Sequence, residues 1–213
     1  IEDNWKQDRI FAPNKKLLFN LAIGAYMSYQ WSHGPRNYGR RLFYSFDAAG
    51  YPFFVLDTRT QRTMDAREGA LEDNHLLGRP SLHPDEPSQL DVLCDWLVAQ
   101  QRERGAVPKF IVSSSVFAPN PVDARVGASV ARLEGSDAWP AFPTTRRALL
   151  QTIVDHRVQN VVFLSGDVHC SSVAQLSFRG GGADDLRACS IVSSALYWPF
   201  PFADGDPSEF VHD

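Results

Sequence analysis

Several large classes of protein are excluded by what this chain has little of. Its three cysteines, Cys94, Cys170 and Cys189, form no Cys-x-x-Cys pair, and an odd count does not suit a disulfide framework. No apolar run approaches the roughly 20 residues that cross a bilayer, so no membrane contact is expected. Basic residues are outnumbered, 21 against 25 acidic ones, and the net charge of −4 has the wrong sign for a nucleic-acid binder that neutralises phosphates. There is no internal repeat and no low-complexity tract. A Gly-x-Ser-x-Gly elbow, a phosphate loop and a dinucleotide glycine fingerprint are all missing, which removes the anchors of three common chemistries. No signal peptide is visible, but the chain begins at Ile1 rather than Met. A preceding segment is therefore expected, and location stays open.

What remains is an ordinary globular composition, 44% hydrophobic and 22% charged over 213 residues. That length supports one good-sized core. Helical spacing is expected over Lys15–Gln30, Gln89–Arg104 and Thr145–His156. The second of these carries the stripe Leu90, Leu93, Cys94, Leu97 and is ended by Gly105 and Pro108. Strands are expected over 41–47, 53–56, 110–112, 161–164, 173–178 and 189–192. Ala48–Pro52 reads as a hairpin connection, and Gly180-Gly181-Gly182 as a turn. Continuous apolar runs such as Val161-Val162-Phe163-Leu164 suggest strands covered on both faces. Partial alternation in 41–47 and 173–178 suggests some antiparallel pairing. The polar stretch 60–87 and the Pro/Gly/Ala-rich stretch 118–143 read as long surface loops. The reading is one α/β or mixed α+β domain over residues 1–213.

The most informative stretch is Asn160–Ser172. An apolar strand stops at Ser165-Gly166, and Asp167-Val168-His169-Cys170 follows. Residues i and i+2 of an extended chain point to the same side, so Asp167 and His169 can converge on one metal. Carboxylate with imidazole suits Zn, Mn or Fe better than Ca alone. The competing reading makes Asp167 a turn cap and His169 a satisfied polar residue. Two more strand ends share that edge: Asp57-Thr58-Arg59, and Ser113-Ser114-Ser115, which reads as a turn first and as site lining second. Arg59 can hold a phosphate bidentately or form a structural ion pair with Asp57 or a neighbour. His33, His75 and His83 read as exposed loop residues, and His156 as the end of a helix. Cys94 reads as a small core residue. Cys170 either packs or, with His169, serves a metal-free hydrolase. The aromatic tail 197–202 either covers the core or walls a pocket with Tyr197.

These residues resemble a family. Phe163-Leu164-Ser165-Gly166-Asp167-Val168-His169 is similar to the C-terminal metal motif of PhoD-like phosphatases, a branch of the calcineurin-like metallophosphoesterases. Tyr44-Ser45-Phe46 with Phe54-Val55-Leu56-Asp57-Thr58-Arg59 resembles that family's strand pair. Leu76-Leu77-Gly78, then Gln89 and Trp96-Leu97, follow in its order, with an insertion between Gly78 and Gln89. Trp139 and Arg146 also fit. The resemblance spans essentially the whole chain. It implies the second half of an α/β/β/α sandwich, and metal-dependent hydrolysis of phosphate mono- or diesters. Asp167 and His169 then fall on metal ligands and catalytic positions. Asp3 falls on a further metal-site position, with Asn4 as the fallback if the register slips by one. Arg59 and Tyr197 become substrate contacts. The implied cofactors are di- or trivalent ions, Fe, Ca, Mn or Zn. The remaining ligands of a two-metal site would lie upstream, so the resemblance implies that this segment alone is inactive and holds little metal. It also implies an apolar surface prepared for missing polypeptide and prone to self-association. The alternative is a non-catalytic structural or interaction domain that keeps the fold.

Overall fold

The computed structural model describes residues 13–34, 41–64, 71–79, 86–118, 120–121, 137–166, 171–179, 182–193 and 210–211. The first helix, α1, spans Pro13–Tyr29 and is followed by a single 3-10 turn at Trp31–His33. Strands β1 (Tyr44–Ala48) and β2 (Tyr51–Val55) form an antiparallel hairpin. Its turn is only Ala49-Gly50, at φ 52° and 84°. Two successive positive φ values match the right-handed twist of the flanking strands, and glycine carries the second at little cost.

Helix α2 spans Gln89–Arg104, then strand β3 Lys109–Val112. A short 3-10 turn at Trp139–Ala141 leads into helix α3, Pro143–Asp155, and strand β5, Val161–Ser165. Strands β6 (Ser172–Ser177) and β7 (Arg187–Val192) form a second antiparallel pair. Strands β4 (Asn120–Pro121) and β8 (Phe210–Val211) make a separate two-residue ladder.

The main sheet has the order β1-β2-β3-β5-β7-β6. β2, β3, β5 and β7 are mutually parallel, and the antiparallel strands β1 and β6 lie at the two edges. The expected mixture of buried parallel strands and antiparallel pairing is present. The crossovers β2-α2-β3 and β3-α3-β5 move the same way along the sheet, so their usual right-handedness puts both helices on one face. Phe54, Ile111, Val161 and Phe163 share a core cluster there with Leu93 and Leu97 of α2 and Leu149 and Ile153 of α3. Phe117, Trp139 and Phe163 close one end, with the Phe117 and Phe163 rings stacked at 3.7 Å.

Alternate residues point the other way. Phe53, Val55, Phe110, Val112, Val162, Leu164, Cys189 and Ile191 are apolar yet all partly exposed. The rings of Phe46, Phe53 and Phe110 stack in a row across three strands, 5.0 and 4.7 Å apart. Burial on both faces was the expectation. Among the described residues, the helices cover one face and leave the second, equally apolar, half open. Trp31 packs edge-on against Tyr44 at 5.1 Å, bringing the end of α1 to this second side. Leu17, Leu18 and Leu21 of α1 are themselves more than 60% exposed.

Two expected surface loops are partly core. Within 60–87, Arg62, Leu76 and Leu77 are fully buried, and the Asn74 amide donates to the Ala141 carbonyl at 2.9 Å. His75, expected to be exposed, is half-buried; its backbone forms a bridge with Thr63, and burial pushes its imidazole pKa down. Within 118–143, Trp139 to Phe142 are buried. Among the described residues, no helix is long and apolar enough to cross a membrane.

Candidate functional site at the strand ends

Four parallel strands bring their carboxyl ends to one edge, where open α/β sheets gather ligands. The groups there are tied together by hydrogen bonds. Gln89, the first residue of α2, is 1% exposed and clamps the backbone of Asp57. Its Oε1 accepts from the Asp57 N–H at 2.8 Å and its Nε2 donates to the Asp57 carbonyl at 2.9 Å. The Asp57 carboxylate in turn accepts from the Arg59 N–H (3.1 Å), the Thr60 N–H (2.8 Å) and the Thr60 hydroxyl. This turn at the end of β2 is fixed from both sides. Burial pushes up the pKa of the Tyr26 phenol of α1, and the charges of Tyr44 and Asp57 push the same way.

At the end of β3, the Ser113 hydroxyl donates to the Ser115 carbonyl at 2.6 Å and accepts from the Ser115 N–H at 3.1 Å. It also accepts from the Trp139 indole N–H at 3.1 Å. Ser113-Ser114-Ser115 thus makes the expected turn, and Ser114 reaches β2 through a bond between its hydroxyl and that of Thr58. Arg59 Nη2 pairs with Asp137 Oδ2 at 2.8 Å, with the two side chains 34% and 31% exposed. Of the two sequence readings for Arg59, an ion pair is present, and its partner is Asp137 rather than Asp57. Sequence reasoning missed Asp137 and the clamp by Gln89. The signal for Gln89 was its place in the family pattern; a partner for Arg59 that lies 78 residues away left none.

At the end of β5, Gly166 approaches the end of β7. A Cβ on Gly166 would lie 3.1 Å from the Ser193 carbonyl oxygen. The Ser193 N–H donates to the Ser165 carbonyl at 2.9 Å, so this approach is locked by the sheet itself. That is a physical reason for glycine just ahead of Asp167. Among the described residues, neither the buried Ser165 hydroxyl nor that of Ser115 has a hydrogen-bond partner. An unmade bond of this kind costs about 1–3 kcal/mol, so both hydroxyls have capacity to spare for a polar neighbour.

Asp167, His169, Cys170, Asp3, Asn4 and Tyr197 lie outside the described residues, as do His83 and the tail 197–202. Among the described residues there is no group of three or more His, Cys, Asp or Glu side chains able to hold a metal. A strand held in register on both sides, a glycine enforced by close approach and a spare buried hydroxyl two residues before Asp167 fit a carboxylate-imidazole metal site. Cys94 is half-buried, accepts from the Thr152 hydroxyl at 3.3 Å and has its thiol pKa pushed up by burial, as suits a packing residue.

A mixed α/β sheet with a hydrogen-bonded polar edge at the ends of its parallel strands defines the class: an open-sheet α/β protein. The family is narrower. The model of the PhoD-like phosphatase family matches residues 1–197, and the chain belongs to that family. A solved structure of PhoD has a similar fold, with a TM-score of 0.63 at 20% identity. The match covers 92% of this chain and 38% of that one, so this chain spans well under half the length of its structural relative. No match was found among curated proteins.

Proposed function

We propose that this chain contributes to metal-dependent hydrolysis of phosphate mono- or diesters. The family is one of phosphatases, which supports an enzyme of the phosphoesterase kind. The observation that carries the finer reading is the end of β5, where a strand locked by Ser193 runs through Gly166 directly into Asp167-Val168-His169. Asp167 and His169 would hold the metal, with Asp3, or Asn4 in its place, as a third contributor. A bound di- or trivalent ion supplies charge to the phosphoryl oxygens and lowers the pKa of water. The protein's own part is to aim the two ligands from one strand end and to present Arg59 from another. Tyr197 is proposed as a second substrate contact. Three ligands at most are too few for a two-metal centre, so the chain alone is expected to bind metal weakly and to turn over no ester.

The experiment is metal analysis of the 213-residue chain equilibrated with Mn, Fe, Zn or Ca, beside Asp167→Asn and His169→Ala. The expected result is weak binding that both substitutions abolish. No binding of any ion at saturation would favour the alternative, a domain that keeps the fold without catalysis. Hydrolysis of p-nitrophenyl phosphate by this chain alone, lost in His169→Ala, would refute the incompleteness of the site while supporting the metal reading.

A further inference from the structure

Arg59 and Asp137 are each held in place by groups other than their partner. The Arg59 backbone is fixed by the Asp57 turn, which Gln89 clamps. Asp137 precedes the buried pair Ala138 and Trp139, and Trp139 is anchored by its backbone N–H on the Val116 carbonyl and its indole on Ser113. A guanidinium offers five N–H donors in a planar fork that suits carboxylate and phosphate alike. Among the described residues only Nη2 is engaged, by one carboxylate oxygen. The pair is a third exposed, so it is weak, worth about 0.2–1 kcal/mol, and open to a competitor from solvent. It sits at the carboxyl end of β2, separated from the Gly166 end of β5 by β3 alone. Two strand spacings make this about 10 Å, a gap that an arginine side chain and a phosphoryl group can bridge together.

We propose that Asp137 is a masking carboxylate. It occupies the Arg59 fork in place of a phosphate oxygen, and a phosphoryl group displaces it on binding. Asp137 then sets the affinity of the edge for phosphate: it keeps Arg59 oriented when the edge is empty and competes with weak anions. This rests on the reading that the edge handles phosphate esters.

The test is titration of inorganic phosphate into chelator-treated protein, followed by 31P line broadening, so that the outcome does not depend on the metal ligands. Asp137→Asn is expected to tighten phosphate about 2- to 5-fold, the factor by which an exposed ion pair competes. Arg59→Ala is expected to abolish binding, and the double variant to behave as Arg59→Ala alone. Asp155→Asn, on the far end of α3, removes the same charge elsewhere and should change nothing. Asp137→Ser provides the same answer should the Asn variant fold poorly, with folding checked by circular dichroism. No gain in either Asp137 variant, a gain that survives loss of Arg59, or an equal gain in Asp155→Asn would each overturn the proposal. The metal-binding reading stands or falls separately, on His169→Ala.

Discussion

At the scale of single residues, Gly166 and Lys109 make the sharpest commitments. Gly166→Ala must move the Ser193 carbonyl, which the adjacent Ser193–Ser165 bond resists. A loss of about 1–3 kcal/mol is expected, as for other overpacked sites, read from a shift in the urea midpoint. Lys109 lies at the opposite, amino end of β3 and is fully buried. Its ammonium donates to Gln101 Oε1 (2.7 Å), to the Gln159 carbonyl (3.1 Å) and to the Gly105 carbonyl. Burial lowers its pKa from 10.5 to about 8. Below about 8 both folded and unfolded chains carry the proton, and the folded chain bears the full desolvation cost. Between about 8 and 10.5 the unfolded chain binds more protons, so stability contributed by this group rises with pH. Measured against Lys109→Met, the denaturation midpoint of the native chain should gain between pH 7 and 9.5; a flat difference would show that the three acceptors hold the charge at its usual pKa.

At the scale of elements, helix α2 is the best-specified piece. Ser88 and Asp91 form a reciprocal capping box, the Ser88 hydroxyl accepting from the Asp91 N–H and the Asp91 carboxylate from the Ser88 N–H. Ser88→Ala is expected to cost about 1 kcal/mol in equilibrium unfolding. Gln89→Met should cost more, about 2 kcal/mol or above, because it strands the buried N–H and carbonyl of Asp57. It should also weaken phosphate binding at Arg59, which Ser88→Ala should not. The ends of α2 were legible because local signals set them: Gly105 and Pro108 stop it, and its stripe faces the core. The strands were legible from their apolar runs, and the motif at Gly166 from the break that ends one of them. What stayed hidden was non-local. Nothing in the polar run around Arg62 shows that it packs inside, and Trp139 looked like part of a loop because its partners, Ser113 and Phe117, belong to another element. Asp167 and His169 stood out in sequence, yet their companions at the site were not among the groups the described structure brings together.

At the scale of the whole molecule, the half-open sheet face is the largest apolar feature described above. The structural relative extends well beyond the share matched by this chain. We propose that the second face, with the exposed leucines of α1, drives self-association of the chain on its own. Sedimentation should show mass rising with concentration. Val162→Lys, on the open row, should reduce association at little cost in stability. Val161→Lys, on the helix-covered row, should prevent folding. A monomer at all concentrations, unchanged by Val162→Lys, would refute the proposal.

The strand order also carries a consequence for how the chain reaches this state. The two edges of the sheet are local hairpins, β1-β2 and β6-β7, each pairing neighbours in sequence. The centre, where β3 meets β2 and β5, is made of pairings such as Phe53 with Phe110, and Ile111 with Phe163, that close long loops. Local contacts form early and long loops close late, so the sheet should fold from its edges inward, with β3 as the last strand to be admitted. Pulse-labelled hydrogen exchange during refolding would then protect the amides of β1 and β2 before those of β3, although β3 lies at the centre of the finished sheet.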